Sequence, residues 1–253
     1  MLPNHEFMVE WAARHRPGPG ARILDYGCGS GEVVQGGLAA GLDILGTDVF
    51  YEGGTSRKIL AGTNLLGDRV LEMSETRIPL PDGSVDMVLS NQVFEHVEDL
   101  DATLAEIARV LVPGGRLLSL FPSRDVIREG HSGIPAVHWL ASDGALRYRY
   151  ALTARRLGLG HNKGAKSPEA WTRDMLDWLD RYTIYRSRDA IMRSYARWFR
   201  TEPVEEEYIA FRLRRREARR AAGAVATRVM RPPARLVCRK LAGLVLWSEK
   251  AGA

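Results

Sequence analysis

Three glycines in five residues, Gly27, Gly29 and Gly31, lie in the stretch ILDYGCGSGEVV between two carboxylates, Asp25 and Glu32. Glycine has no Cβ and takes positive φ without steric cost, so such a loop lets backbone approach a ligand closely. A phosphate cradle, a dinucleotide site and a seat for another adenosine cofactor all use loops of this kind. The spacing argues against the first two. A dinucleotide fingerprint needs G-x-G-x-x-G, and here Glu32 holds the third position, setting negative charge where a pyrophosphate would meet a helix N-terminus. No Gly-Lys-Ser/Thr follows, so the P-loop pattern is also absent. A further carboxylate, Asp48, ends the next apolar run.

A second group of residues could handle protons. The segment REGHSGIPAVHW carries Glu129, His131 and His138 around a Gly-Ile-Pro turn. Imidazole titrates near neutral pH and is the side chain best suited to accept a proton there. His131 is the preferred base, with His138 and His96 as further candidates. Glu95 and His96, in FEHV, otherwise read as solvated residues at a helix start. Neither Cys28 nor Cys238 has a histidine or cysteine at metal-ligand spacing, and no acidic cluster suits Mg²⁺, so no metal site is expected.

The elements that position these residues follow from periodicity. Short apolar runs alternate with helical patterns over the first 120 residues, the mark of a parallel α/β sheet. ARILDYG predicts a first strand, GEVVQGGLAAG a helix ending at Gly41, and LDILGTDV a second strand ending at Asp48. RVLEMS, SVDMVLSNQ and GGRLLSLFP predict three more strands, with an amphipathic helix at DLDATLAEIARVL. The result is a doubly wound sheet with the candidate ligand residues at strand C-termini, where such sheets bind ligands. Beyond Arg124 the pattern becomes helical and rich in arginine. Ser167 and Pro168 mark a helix start at SPEAWTRDMLDWLDRY, and SRDAIMRSYARWF predicts another. EYIAFRL fits either a late strand or the start of a long helix through RRREARRAAGAVATRVM.

Composition sets bounds on function. Residues 1–120 hold 9 Lys and Arg against 17 Asp and Glu, while residues 121–253 hold 27 against 14. The basic half could face an anionic substrate, a membrane surface or nucleic acid. RLRRREARR lacks a nucleic-acid-binding motif and basic-aromatic alternation, so nucleic acid is not an expected partner. The N-terminal stretch is not a secretory signal and no run of about 20 apolar residues occurs, so a cytoplasmic protein is expected. RPPARLVCRKLAGLVLWSEK mixes apolar residues with Arg231, Arg235, Arg239 and Lys240. It suits either peripheral contact with the inner membrane face or docking on the protein's own core.

LDYGCGSGE followed by GTDV resembles the first two motifs of the class I S-adenosylmethionine-dependent methyltransferases. LPDGSVDMVLSNQVFEHVEDLDATLAEIARVLVPGGRLL is similar to the region that follows in their type 11-like group. The resemblance implies a seven-stranded Rossmann-like sheet and S-adenosylmethionine as cofactor. It implies that Gly27, Gly29 and Gly31 form the cofactor loop, that Asp25 helps to hold the amino-acid end, and that Asp48 accepts the ribose hydroxyls. Ser74 stands where the family places an acid for the adenine, with Glu75 beside it. Asn91 and Gln92 would line the methionine end. S-adenosylmethionine has no phosphate, so nearby acid is tolerable and Asp25 and Glu32 cease to be anomalous.

The expected organisation is an α/β cofactor core over residues 1–123, a helical cap and substrate-binding insertion over 124–200, and the end of the sheet with a basic helical extension over 201–253. REGHSGIPAVHWL and SPEAWTRDMLDWLDRYTIYR are also similar to segments of bacterial glycan-modifying methyltransferases. That similarity implies a sugar or glycan hydroxyl as acceptor, with Trp139, Trp171, Trp178, Tyr182 and Tyr185 available for stacking. The alternatives are another small metabolite or lipid, RNA or protein through the basic face, or a non-catalytic cofactor-binding partner protein.

Overall fold

A computed structural model of the chain describes residues 1–50, 55–74, 77–214 and 231–252. The strands are β1 (Arg22–Tyr26), β2 (Asp43–Asp48), β3 (Val70–Glu72), β4 (Val85–Asn91), β5 (Leu111–Phe121), β6 (Phe199–Pro203) and β7 (Leu244–Lys250). They form one sheet in the order β3-β2-β1-β4-β5-β7-β6. β1 to β5 are parallel, and β7 runs antiparallel between β5 and β6. The described helices are α1 (Pro3–His15), α2 (Glu32–Ala39), α3 (Ser56–Ala61), α4 (Leu100–Val110), α5 (Ala145–Arg156), α6 (Pro168–Tyr182), α7 (Arg188–Tyr195), α8 (Glu205–Arg214) and α9 (Arg231–Leu241).

Period-2 alternation divides the sheet's side chains between two cores. Ile23, Met87, Leu89, Leu118 and Val245 pack on one face with Phe7 and Trp11 of α1, Val34 of α2, and Tyr208 and Phe211 of α8. Leu24, Val88, Leu117 and Leu246 pack on the other with Leu104 and Ile107 of α4 and Ile191 and Tyr195 of α7. A separate small core forms where Ala151 and Ala154 of α5 meet Trp171, Leu176 and Leu179 of α6. Ser167 caps α6 by accepting from the Ala170 amide, as its sequence signals predict.

Two open readings are decided. EYIAFRL is helical, within α8, and its proposed continuation through residues 215–230 lies outside the described residues, as does most of RLRRREARR. The strands that complete the sheet are instead FRTEP, which begins at residue 199, and LVLWSEK. The segment read as membrane-facing or core-docking therefore divides. Leu244, Val245 and Leu246 are at most 1% exposed inside the sheet, so the apolar part docks on the core as β7. The basic part is partnered by α8: Arg235 makes two hydrogen bonds to Glu206 at 2.8 Å, and Arg239 donates to Glu205 at 2.7 Å. Leu236, Val237 and Leu241 of α9 remain exposed. Among the described residues, no helix is long and apolar enough to cross a membrane.

Candidate active site

The strand order reverses between β1 and β4, and the crevice at the carboxyl ends of those strands is where open α/β sheets take ligands. β1 leads into the glycine loop, whose three glycines all have positive φ: +73° at Gly27, +54° at Gly29 and +82° at Gly31. The amides of Gly27 and Cys28 donate to the Thr47 carbonyl, which ties the loop to β2. Asp48, the last residue of β2, accepts from the Gly29 amide at 2.8 Å and the Phe50 amide at 3.1 Å, one bond to each carboxylate oxygen. A carboxylate has about four acceptor sites, so each oxygen keeps one for a ligand hydroxyl. A Cβ on Gly29 would meet nothing within 4 Å, so the space over this part of the loop is open.

Asp25 is buried beneath the loop, and burial, then the nearby Asp48 and Glu32, push its carboxyl up to about 8. A cationic ligand group would relieve that repulsion. At the end of β4, the Asn91 side-chain oxygen is buried with no hydrogen-bond partner. Gln92 adopts φ +57° and its amide bonds back to Leu120 of β5. Ser74 lies two residues past β3, whose Glu72 pairs with Asp48, and it is exposed. Glu75 lies outside the described residues. An acid for a diol, a loop without side chains, a buried acid for a cation and an orphaned acceptor fit S-adenosylmethionine. Asp48 would hold its ribose, while Asp25 and Asn91 would serve its amino-acid end.

The second group of residues assembles beside this crevice. Glu95 and His96 follow β4, and His131 follows the adjacent β5. Glu95 is 1% exposed and neither of its oxygens has a partner. Burial pushes it up to about 8. It is thus not the solvated helix-start residue expected, because Arg186 and Ile184 strap this segment down. The Arg186 guanidinium donates to the carbonyls of Phe94, Val97 and Glu98, and the Ile184 amide donates to the Glu95 carbonyl.

His131 is held through Nδ1 by Glu129, at 2.8 Å. Glu129 is wholly buried and also accepts from the amides of His131 and Ser132 and from the Tyr185 hydroxyl. Burial alone would raise its pKa, but these four donors outweigh it and hold the group well below the usual carboxylate range. An ionised Glu129 fixes the proton of His131 on Nδ1 and leaves the Nε2 lone pair free. His96 is anchored in the same sense, its Nδ1 lying 2.5 Å from the Tyr182 carbonyl. Burial lowers its pKa, so it stays neutral more readily. The two rings lie edge to face, 5.1 Å between centroids, with Trp178 against both.

The structure does not bring His138 into this group. Its Nε2 bonds to the Arg124 carbonyl and its ring packs on the far partner of Glu129, Tyr185. Of the aromatics proposed for stacking, Trp171 is core, Tyr185 is engaged with Glu129, and the Trp139 indole donates to the Arg124 carbonyl. Trp178 and Tyr182 are partly exposed beside the histidines. Sequence reasoning had Glu129 and Glu95 in view but missed their roles. The available signal was that both follow the C-termini of neighbouring strands.

A seven-stranded sheet of this order, with an acid-ended second strand and a glycine loop at the switch point, defines a class I nucleoside-cofactor fold. Residues 24–119 match the family model described as "Methyltransferase domain". An uncharacterized methyltransferase of Mycobacterium tuberculosis is 38% identical over 119 residues, covering 46% of this chain and 45% of the relative. A ubiquinone biosynthesis O-methyltransferase of Sinorhizobium medicae is 30% identical over 127 residues, covering 45% and 51%. The chain thus spans about half the length of these curated relatives. The crystal structure of an S-adenosylmethionine-dependent methyltransferase from Mesorhizobium loti has the same fold, with TM-score 0.51 and 22% identity over 97% of this chain and 99% of that one.

Proposed function

We propose that this protein transfers the methyl group of S-adenosylmethionine to a hydroxyl oxygen of a sugar or glycan, with His131 accepting the hydroxyl's proton. When bound, the cofactor supplies an electrophilic methyl group on a sulfonium. Displacement at that carbon is chiefly a matter of alignment and exclusion of water, which a cap built from α5 and α6 would provide. The observation that carries the choice of oxygen is the Glu129–His131 pair. An amine or thiol needs little help, whereas a hydroxyl gains from a positioned base, and His131 is fixed with its Nε2 lone pair unclaimed.

Trp178 packs against the His131 ring, with Tyr182 beside Trp178, and both offer faces on which a sugar ring can stack. The relative from Sinorhizobium medicae is by name an O-methyltransferase, which supports oxygen as the accepting atom and keeps another small metabolite or lipid as the second reading. The test is transfer of a labelled methyl group to a panel of sugars, glycans and catechols. Label in a glycan hydroxyl, lost in His131→Ala, is the expected outcome. Label only in nitrogen-bearing acceptors, or undiminished transfer by that variant, refutes the proposal.

A further inference from the structure

We propose that Glu95, His96 and His131 form a binding site for a divalent transition-metal ion, with Zn²⁺ the ion their donor set fits best. One ligand atom of each residue lies within 4.8 Å of those of the other two. Proximity alone would be weak, since polar groups often cluster. Three further features give it weight.

The first is tautomer. Histidines that ligate metals almost always donate their other ring N–H to a carboxylate or a backbone carbonyl, which orients the ring and frees the ligating nitrogen. Both kinds of partner are present here. His131 Nδ1 is held by Glu129 and His96 Nδ1 by the Tyr182 carbonyl, so each ring has Nε2 to offer.

The second is the state of Glu95. A buried carboxylate normally has hydrogen-bond partners, because leaving it bare costs several kcal/mol or forces it to take up a proton. Both Glu95 oxygens are buried and bare, and one lies 4.0 Å from His96 Nε2. Glu129, just behind, has its donors already in place. The structure therefore supplies one carboxylate that orients a ligand and another that lacks only a cation.

The third is chemistry. Two imidazoles and one carboxylate are the ligand set of open catalytic zinc sites, whereas Mg²⁺ and Ca²⁺ prefer oxygen alone. Tetrahedral N and O ligands at about 2.1 Å from zinc stand about 3.4 Å apart. The present span of up to 4.8 Å would have to close by about 1.4 Å on binding. An open fourth position would face the acceptor, a placement that rests on the methyltransferase reading, though the binding itself does not. In the loaded protein His131 Nε2 is a ligand, and the proton-accepting role given to it above belongs to the metal-free protein.

The experiment is titration of the metal-stripped full chain with CoCl₂, followed by ZnCl₂, with S-adenosylhomocysteine binding measured on the same samples. The expected result is one equivalent of Co²⁺ with visible d–d absorption, displaced by Zn²⁺. Glu95→Gln and His131→Ala should each weaken binding at least tenfold while S-adenosylhomocysteine affinity is kept, and His15→Ala should change neither. Absence of a Co²⁺ band together with absence of Zn²⁺ binding overturns the site. So does equal affinity in wild type and both variants. Metal binding without S-adenosylhomocysteine binding would instead count against the methyltransferase reading alone.

Discussion

Alanine at Gly27 and alanine at Gly29 should fail in different ways, although the two glycines are two residues apart in one loop. Both have left-handed backbone, which costs an L-residue about 1–2 kcal/mol, offset in part because alanine also restricts the unfolded chain. A Cβ at Gly29 meets nothing within 4 Å. A Cβ at Gly27 would stand 2.4 and 2.7 Å from the two γ-methyls of Val93. These methyls sit on a branched Cβ next to the backbone and cannot swing away as a long chain end would. Forcing an extra carbon into such a contact costs about 1–3 kcal/mol more. Gly29→Ala should therefore lose about 1 kcal/mol of stability and Gly27→Ala about 2–4 kcal/mol. Equilibrium urea denaturation reads the difference as a shift in midpoint at constant slope. The contact can be isolated by repeating Gly27→Ala in a Val93→Ala background, where only the Cβ at 3.2 Å remains and the cost should fall towards that of Gly29→Ala. Equal costs for the two alanines in the parent protein, or no relief from Val93→Ala, would refute this account. Gly29→Ala should in turn lower affinity for S-adenosylhomocysteine at least tenfold, because its methyl group enters the space beside Asp48.

Asp48→Asn keeps the shape of the β2 terminus but removes a charged acceptor worth about 1.5–3 kcal/mol, so calorimetry should show affinity for S-adenosylhomocysteine falling roughly 10- to 100-fold; unchanged affinity would contradict the ribose assignment. His131→Ala should reduce turnover by about 10²–10⁴ while leaving that affinity within twofold, as measured by single-turnover kinetics on the accepted substrate. Asp25 keeps its proton in the folded protein to about 8, against an ordinary value of 3.8, so its contribution to stability is complete below the ordinary value and is lost as pH rises through about 8. Asp25→Asn should accordingly flatten the fall in thermal midpoint of the unliganded protein across that window, and an unaltered pH profile would show that Asp25 is not the buried acid responsible. Leu246→Asp, at a position 1% exposed in the interior strand β7, should abolish cooperative folding as judged by circular dichroism, whereas a merely peripheral C-terminal segment would tolerate it.

Much of the fold was legible because its signals are local. β1, β2, β4, α4 and α6 follow from apolar periodicity and from caps within a few residues, such as Ser167. Asp25, the three glycines and Asp48 were legible as a site for the same reason, since one strand-loop-helix-strand unit holds them all. The late strands were not. FRTEP and LVLWSEK carry charges and weak alternation, and LVLWSEK becomes an interior strand only because β5 and β6 leave an antiparallel slot for it.

The second half of the site shows where sequence by itself stops. Residue types and positions determined that a carboxylate and a histidine follow β4 and that Glu129 and His131 follow β5. Only the tertiary structure decided that Arg186 would strap the first pair down, that Tyr185 would cross 56 residues to Glu129, and that His138 would be turned away. The physical reason is that protonation and tautomer depend on which groups lose water and which donors replace it. Those partners come from distant segments: Glu95 and Glu129 are both buried carboxylates, and opposite shifts separate them because one received four donors and the other none.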